Sequence, residues 1–271
     1  MHRVMKKGFF MDPTEFLEEA RLKPFILFFL VAVLMIGGSA YLGEKTLPVT
    51  NDKTDELPIY CVDTEEKVIS LTFDAAWNVD DFDTILEILD KYDIKATFFV
   101  TGEWVSKYPE AVKKLYEAGH DIGNHGDNHK HMSTLSKEEN ISEMQGCHDK
   151  VKTLTGYDMK LFRAPYGDYD GDLIKQAREF GYETIQWDVD SLDWKDYGVD
   201  SIVQTVTEHK HLGNGSILLL HNGTTYTKDA LEPMIQKLLE QGYTFKPVSE
   251  LILTKDYGID HEGRQYSTKG E

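Results

Sequence analysis

Short apolar runs that end on a single polar or charged residue recur along this chain, separated by amphipathic stretches of helical period. That alternation predicts strands at Val68–Phe73, Ala96–Thr101, Asp121–Gly123, Leu161–Arg163, Thr184–Asp188, Ser216–Leu220 and Thr244–Pro247. It predicts helices over Asp80–Tyr92, Pro109–Ala118, Lys137–Thr155, Gly171–Phe180, Val199–His211 and Lys228–Gln241, with Gly119, Gly181 and Gly242 placed as C-terminal caps. Strands that alternate with helices form a parallel sheet, either doubly wound or closed into a barrel. The polar residues favour the barrel. Asp74, His125, Arg163, Asp188 and His221 each sit at or just past the C-terminal end of a strand, and a barrel brings those ends to one mouth. The expected fold is therefore α/β, a distorted (β/α) barrel of about seven parallel strands, preceded by one transmembrane helix.

The helix is read from FILFFLVAVLMIGGSAYL, residues 25–42, a charge-free run long enough to span hydrocarbon. Arg3, Lys6, Lys7, Arg21 and Lys23 precede it, which puts the N-terminus in the cytoplasm and the rest of the chain outside. A 24-residue leader containing Glu15, Glu18 and Glu19 is long and acidic for a signal peptide, so an uncleaved anchor is preferred to a cleaved one. The chain is thus read as single-pass in the cell membrane, with an extracytoplasmic domain. Residues 43–66, polar and with two prolines, read as a linker, and residues 255–271 as a loose polar tail.

The net charge of −18 lies almost entirely beyond the anchor and argues against nucleic acid as a partner. Only Cys61 and Cys147 are present, so neither a disulfide scaffold nor a cysteine-rich zinc module is available, although the two could form one bridge.

Several residues carry chemistry. His125 and His129 lie four apart in GNHGDNHKH and fall on one side if the segment turns helically, where they can share a cation; His131 is a competing ligand. Asp74 closes ISLTFD and can take a proton from water. His221 closes SILLLH and can donate a proton to a leaving amine if a carboxylate such as Asp193 raises its pKa. Arg163, in FRAPYGDYD, can orient Asp74; Pro165 keeps the preceding residue extended, and the Tyr166 N–H can face an oxyanion. Trp194 can wall a sugar-binding slot.

Taken together, the segments TFDAAW (72–77), HGDNH (125–129), RAPY (163–166), DSLDW (190–194) and LLH (219–221) resemble, in order, the five motifs of the polysaccharide deacetylases of the NodB-homology type, carbohydrate esterase family four. The likeness spans about residues 66–252, and TFDxxW resembles a subgroup found in spore-forming Gram-positive bacteria. It implies a metal-dependent hydrolase that removes N-acetyl groups from a cell-surface glycan. It casts Asp74 as base, Arg163 as its orienting partner, His221 as acid, Asp193 as the group that tunes it, and His125 and His129 as metal ligands. Tyr166, Pro165, Trp194 and Leu219 would contact substrate. Zn²⁺ is the expected cation, with Co²⁺ or Mn²⁺ as alternatives. The family's usual third ligand, an Asp after the base, is Ala75 here, which leaves Asp127, Asp80 and Asp81 as substitutes.

The expected layout is a cytoplasmic tail over 1–24, an anchor over 25–42, a linker over 43–66, a deacetylase domain over 67–254 and a polar tail over 255–271. An outward-facing domain points to peptidoglycan as the N-acetylated substrate. A non-catalytic glycan-binding protein on the same fold competes with that reading, as does a deacetylase acting on O-acetyl groups or chitooligosaccharides.

Overall fold

Every residue of the strand Val68–Ala75 (β2) is buried, so both of its faces pack. Ile69, Leu71, Phe73 and Ala75 join the core cluster beneath the helices, whereas Val68 belongs to a second cluster inside the sheet. Between them Ser70, Thr72 and Asp74 form a polar column on the inner face, the two-residue period expected of a strand. These features come from a computed structural model that describes residues 57–269.

β2 is central to a parallel sheet. β3 (Thr97–Val100), β4 (Asp121–Asn124), β5 (Leu161–Phe162) and β6 (Glu183–Thr184) extend it on one side. β8 (Ile217–His221) and β7 (Val189–Asp190) extend it on the other, and β9 (Thr244–Phe245) pairs with the start of β2. Every pairing in this sheet is parallel, which bears out the distorted barrel. Helices α1 (Phe82–Lys91), α2 (Gly102–Lys107), α3 (Pro109–Glu117), α4 (Lys137–Thr155), α5 (Gly171–Phe180), α6 (Val199–Thr207), α7 (Thr227–Glu240) and α8 (Val248–Leu251) complete the connections. α4 and α5 have the predicted limits, α4 beginning in a Ser136/Glu139 capping box. Gly119, Gly181 and Gly242 all have positive φ after a helix, as caps require.

Three expectations change. Of the predicted strand Thr184–Asp188 only Thr184 lies in β6, and residues 185–188 separate it from β7; β6 and β7 stand at opposite ends of the sheet order, and among the described residues no ladder closes the barrel between them. Arg163 bonds this stretch from its side chain. Its Nε donates to the Ile185 carbonyl at 3.4 Å and its Nη2 to the Gln186 carbonyl at 3.0 Å, occupying acceptors that a ladder would use. Second, the end of the expected linker is structured: Ile59 is buried and Cys61–Val62 forms β1. Third, residues 255–271 are not a loose tail throughout. β10 (Tyr257–Ile259) pairs antiparallel with β11 (Arg264–Ser267), and β11 pairs parallel with β1. Gln265, fully buried, ties this sheet down by accepting from Leu253 N and donating to Leu253 O.

Cys61 and Cys147 are both buried and free, so the possible bridge is absent. The expected tail 1–24 and anchor 25–42 lie outside the described residues, and among those described no helix is long and apolar enough to cross a membrane.

Candidate active site

The ends of the parallel strands surround a cavity of about 780 Å³, lined among others by Asp74, His125, His129, Trp194, Leu219 and His221. Asp74 and His221 stand opposite each other in the β2–β8 ladder. A single register therefore fixes the distance between the expected base and acid.

Arg163 stands behind Asp74. Its side chain is fully buried, its guanidinium lies 4.1 Å from the Phe99 ring centroid, and Nη1 donates to Asp74 Oδ1 at 2.8 Å and to Thr72 Oγ1 at 2.9 Å. Burial alone would raise the pKa of Asp74; the charge of Arg163, aided by that of His221, outweighs it and holds the carboxyl below its ordinary range. Asp74 is thus an oriented, ionised carboxylate.

Asp193 stands behind His221 in the same way. The His221 Nδ1–H donates to Asp193 Oδ1 at 2.7 Å. Burial would make this imidazole less basic, but the bond and charge of Asp193 prevail, with Asp74 and Asp190 adding, and its pKa is raised. Arg163 and Asp193 are thus buried supports, and the groups they orient face the cavity.

The histidine pair is not helical. After β4 the chain runs as loop, and His129 takes positive φ (52°). The two rings nevertheless meet at a centroid distance of 5.0 Å. The loop is held by Glu143 of α4, which accepts from Asp127 N at 3.0 Å and Asn128 N at 2.7 Å, so hydrogen bonds from a distant helix replace the expected helical turn. Burial keeps the pKa of His125 low and brings that of His129 down to about 4.

Both imidazoles are therefore neutral. The His125 Nδ1–H donates to the Arg163 carbonyl at 2.8 Å, leaving Nε2 as a lone-pair donor 3.4 Å from Asp74 Oδ2. This donor set fits a divalent cation through two nitrogens. Among the described residues no group of three or more His, Cys, Asp or Glu is arranged to hold a metal. The alternatives for a third ligand are engaged or turned elsewhere. Asp127 pairs with Lys150 at 2.5 Å, both oxygens of Asp81 accept the Gly223 N–H, and Asp80 is exposed; none lines the cavity.

Asp188, expected at the mouth, sits instead at the start of β8, where its carboxylate accepts from Ser216 Oγ and Ile217 N, both at 2.9 Å. Burial pushes its pKa up to about 6. Asp190 takes the place at the cavity wall. Pro165 is buried under the turn and does not line the cavity, whereas Tyr166, Trp194 and Leu219 do.

The polysaccharide deacetylase family profile matches residues 62–185. A peptidoglycan-N-acetylglucosamine deacetylase of Bacillus cereus is 36% identical over 221 residues, covering 78% of this chain and 98% of that protein. The chain belongs to the polysaccharide deacetylase family. A peptidoglycan-N-acetylmuramic acid deacetylase of Bacillus subtilis, PdaA, is 32% identical over 205 residues, covering 73% of this chain and 76% of that one. A family-four carbohydrate esterase pseudoenzyme of Bacillus anthracis matches in structure with a TM-score of 0.69 at 34% identity, covering 77% of this chain and 72% of its own.

Sequence reasoning missed several residues of this polysaccharide deacetylase site. Trp77, inside the first quoted segment, lines the cavity with its ring centroid 5.2 Å from that of His221. Its place two residues past the end of β2 was the available signal. Thr227 donates to Asp193 Oδ2 at 2.6 Å, and Glu143 orders the histidine loop; neither has a sequence signal, because each is a polar residue among many on a helix.

Proposed function

We propose that this protein hydrolyses the acetamide of N-acetylated sugar units in peptidoglycan. The observation that carries the reading is the pairing of two supported groups side by side at the cavity, Asp74 backed by Arg163 and His221 backed by Asp193. A protein that only holds a glycan has no use for an ionised carboxylate and an elevated histidine so placed. The names of the Bacillus cereus and Bacillus subtilis relatives support peptidoglycan as the polymer.

In this mechanism Asp74 removes a proton from water as its oxygen attacks the acetamide carbonyl carbon. The N–H of Tyr166 faces the resulting oxyanion. His221, charged through Asp193, protonates the nitrogen as the C–N bond breaks, giving acetate and a free amino sugar. A divalent cation on His125 and His129, most suitably Zn²⁺ with Co²⁺ or Mn²⁺ as alternatives, would supply Lewis acidity that polarises the carbonyl and makes water a better proton donor to so weak a base. Trp194 and Leu219 wall the acetyl slot.

The test is acetate release from muropeptides, peptidoglycan and chitooligosaccharides, with and without added Zn²⁺, Co²⁺ or Mn²⁺. Turnover that drops by ~10²–10⁴ in both Asp74→Asn and His221→Ala supports the assignment, and turnover retained in both removes it. Ala75 and the likeness to a pseudoenzyme favour a second reading, a glycan-binding protein with weakened catalysis. Glycan binding without acetate release under any metal would establish it.

The charge-free segment 25–42 after five basic residues supports an outward-facing domain on a single-pass anchor. Protease added to spheroplasts should then digest the domain, and its protection would overturn this placement.

A further inference from the structure

Tyr166 is an aromatic residue in the left-handed backbone region, with φ of 62°, and its ring is 59% exposed. That conformation is costly for any residue with a Cβ, and burial does not secure the ring. What flanks it is a pair of imidazoles. His131 stacks on it at a centroid distance of 4.1 Å and an interplanar angle of 12°, and His129 meets it at 4.4 Å and 59°. His131 is itself held, since its Nδ1 bonds Asp168 Oδ2 at 3.0 Å and its carbonyl accepts from Thr134 Oγ1 at 2.7 Å.

We infer that Asp168 and His131 clamp Tyr166 in its left-handed conformation, which makes His131 a positioning residue for the Tyr166 N–H and not a metal ligand. The inference rests on the deacetylase reading for its consequence in turnover, and on the geometry alone for the clamp. The turn 164–168 is closed by Gly167 N to the Ala164 carbonyl and by Asp168 N to the Pro165 carbonyl, both at 3.1 Å. Those bonds fix the ends of the turn. The floor is Trp187, which a Cβ on Gly167 would meet at 2.9 Å. The His131 ring stacks on one face of Tyr166. Relaxation of Tyr166 to negative φ would accompany a flip of the Pro165–Tyr166 peptide, carrying the N–H that serves the oxyanion away from the cavity. Asp168 and His131 thus connect the turn that bears the oxyanion donor to the loop that bears the two histidines.

The test compares wild type, His131→Ala and His131→Phe. His131→Ala should lower kcat by about tenfold with KM little changed, because an oxyanion donor acts on the transition state. His131→Phe keeps the stack and should recover most of that loss. A Phe variant as impaired as the Ala variant would show that the stacked ring face does not hold Tyr166, and equal kcat in all three would show that the stack has no role; either overturns the clamp. A crystal structure of His131→Ala supplies the second reading. Tyr166 with negative φ supports the clamp, and Tyr166 still left-handed refutes it, whether or not the protein turns over. Absence of acetate release by the wild type counts against the deacetylase reading alone.

Discussion

Asp193 accepts two hydrogen bonds from His221, one from the main-chain N–H at 2.8 Å and one from the ring Nδ1–H at 2.7 Å. The carboxylate thereby fixes the position, tautomer and charge of the imidazole together, and Nε2 is left as the atom that can pass a proton to substrate.

This arrangement sets a pH dependence. The folded pKa of His221 is raised, so the protonated acid persists to higher pH than in a free imidazole and is lost as pH rises through the folded pKa. The alkaline limb of the kcat profile should therefore shift to lower pH in Asp193→Asn, with turnover reduced by ~10²-fold or more. A limb in the same place would show that another group sets it.

Removing Arg163 should cost stability as well as rate. Its side chain is fully buried and that of Asp74 is 9% exposed, so Arg163→Ala leaves a buried carboxylate without its cation. A loss of ~3–5 kcal/mol in urea unfolding is expected. A loss below ~1 kcal/mol would mean that His125 and water compensate.

Ala75→Asp should act in opposite directions with and without metal. Position 75 is fully buried at the end of β2, so an added carboxylate lowers the melting temperature of the metal-free protein. Ala75 packs beneath the helices and does not line the cavity, so the carboxylate must turn past the end of β2 to join His125 and His129; as a third ligand there it should strengthen Zn²⁺ binding by ~2–4 kcal/mol in titration calorimetry. Equal or weaker binding would show that a carboxylate at 75 does not reach the cation.

His120 predicts an acid sensitivity remote from the cavity. Burial keeps it neutral, with a pKa lowered to about 4, and its Nδ1 accepts the Ala96 N–H at 3.1 Å. The unfolded chain binds this proton near pH 6.5 and the folded one near 4, so stability falls as pH drops through that window. The loss should approach ~3 kcal/mol, and His120→Gln should show a correspondingly flatter profile in urea midpoints from pH 7 to pH 4. Parallel profiles would exclude His120 as the cause.

Local pattern was enough for some of this protein. An apolar run that ends in Asp74 or His221 states both the strand and the end that faces the cavity, because period and burial are properties of the run itself. The limits of α4 and α5 were legible because their caps, Ser136 and Gly156 or Asp170 and Gly181, adjoin the helices they close. The pairings Asp74–Arg163 and His221–Asp193 were readable as complementary charges at or past strand ends, and the family resemblance assigned them roles.

Only the tertiary structure decided the rest, and in each case the deciding contact spans a long stretch of chain. Arg163 bonds the carbonyls of Ile185 and Gln186, in a run of strand pattern that β6 covers only at Thr184. Gln265 made ordered strands of an apparently loose tail by reaching Leu253, and Glu143 replaced a helical turn with a loop while keeping His125 beside His129. A sequence displays the donors and acceptors near one another in the chain. Which distant partner satisfies a buried polar group is settled only when packing excludes water and leaves one within reach.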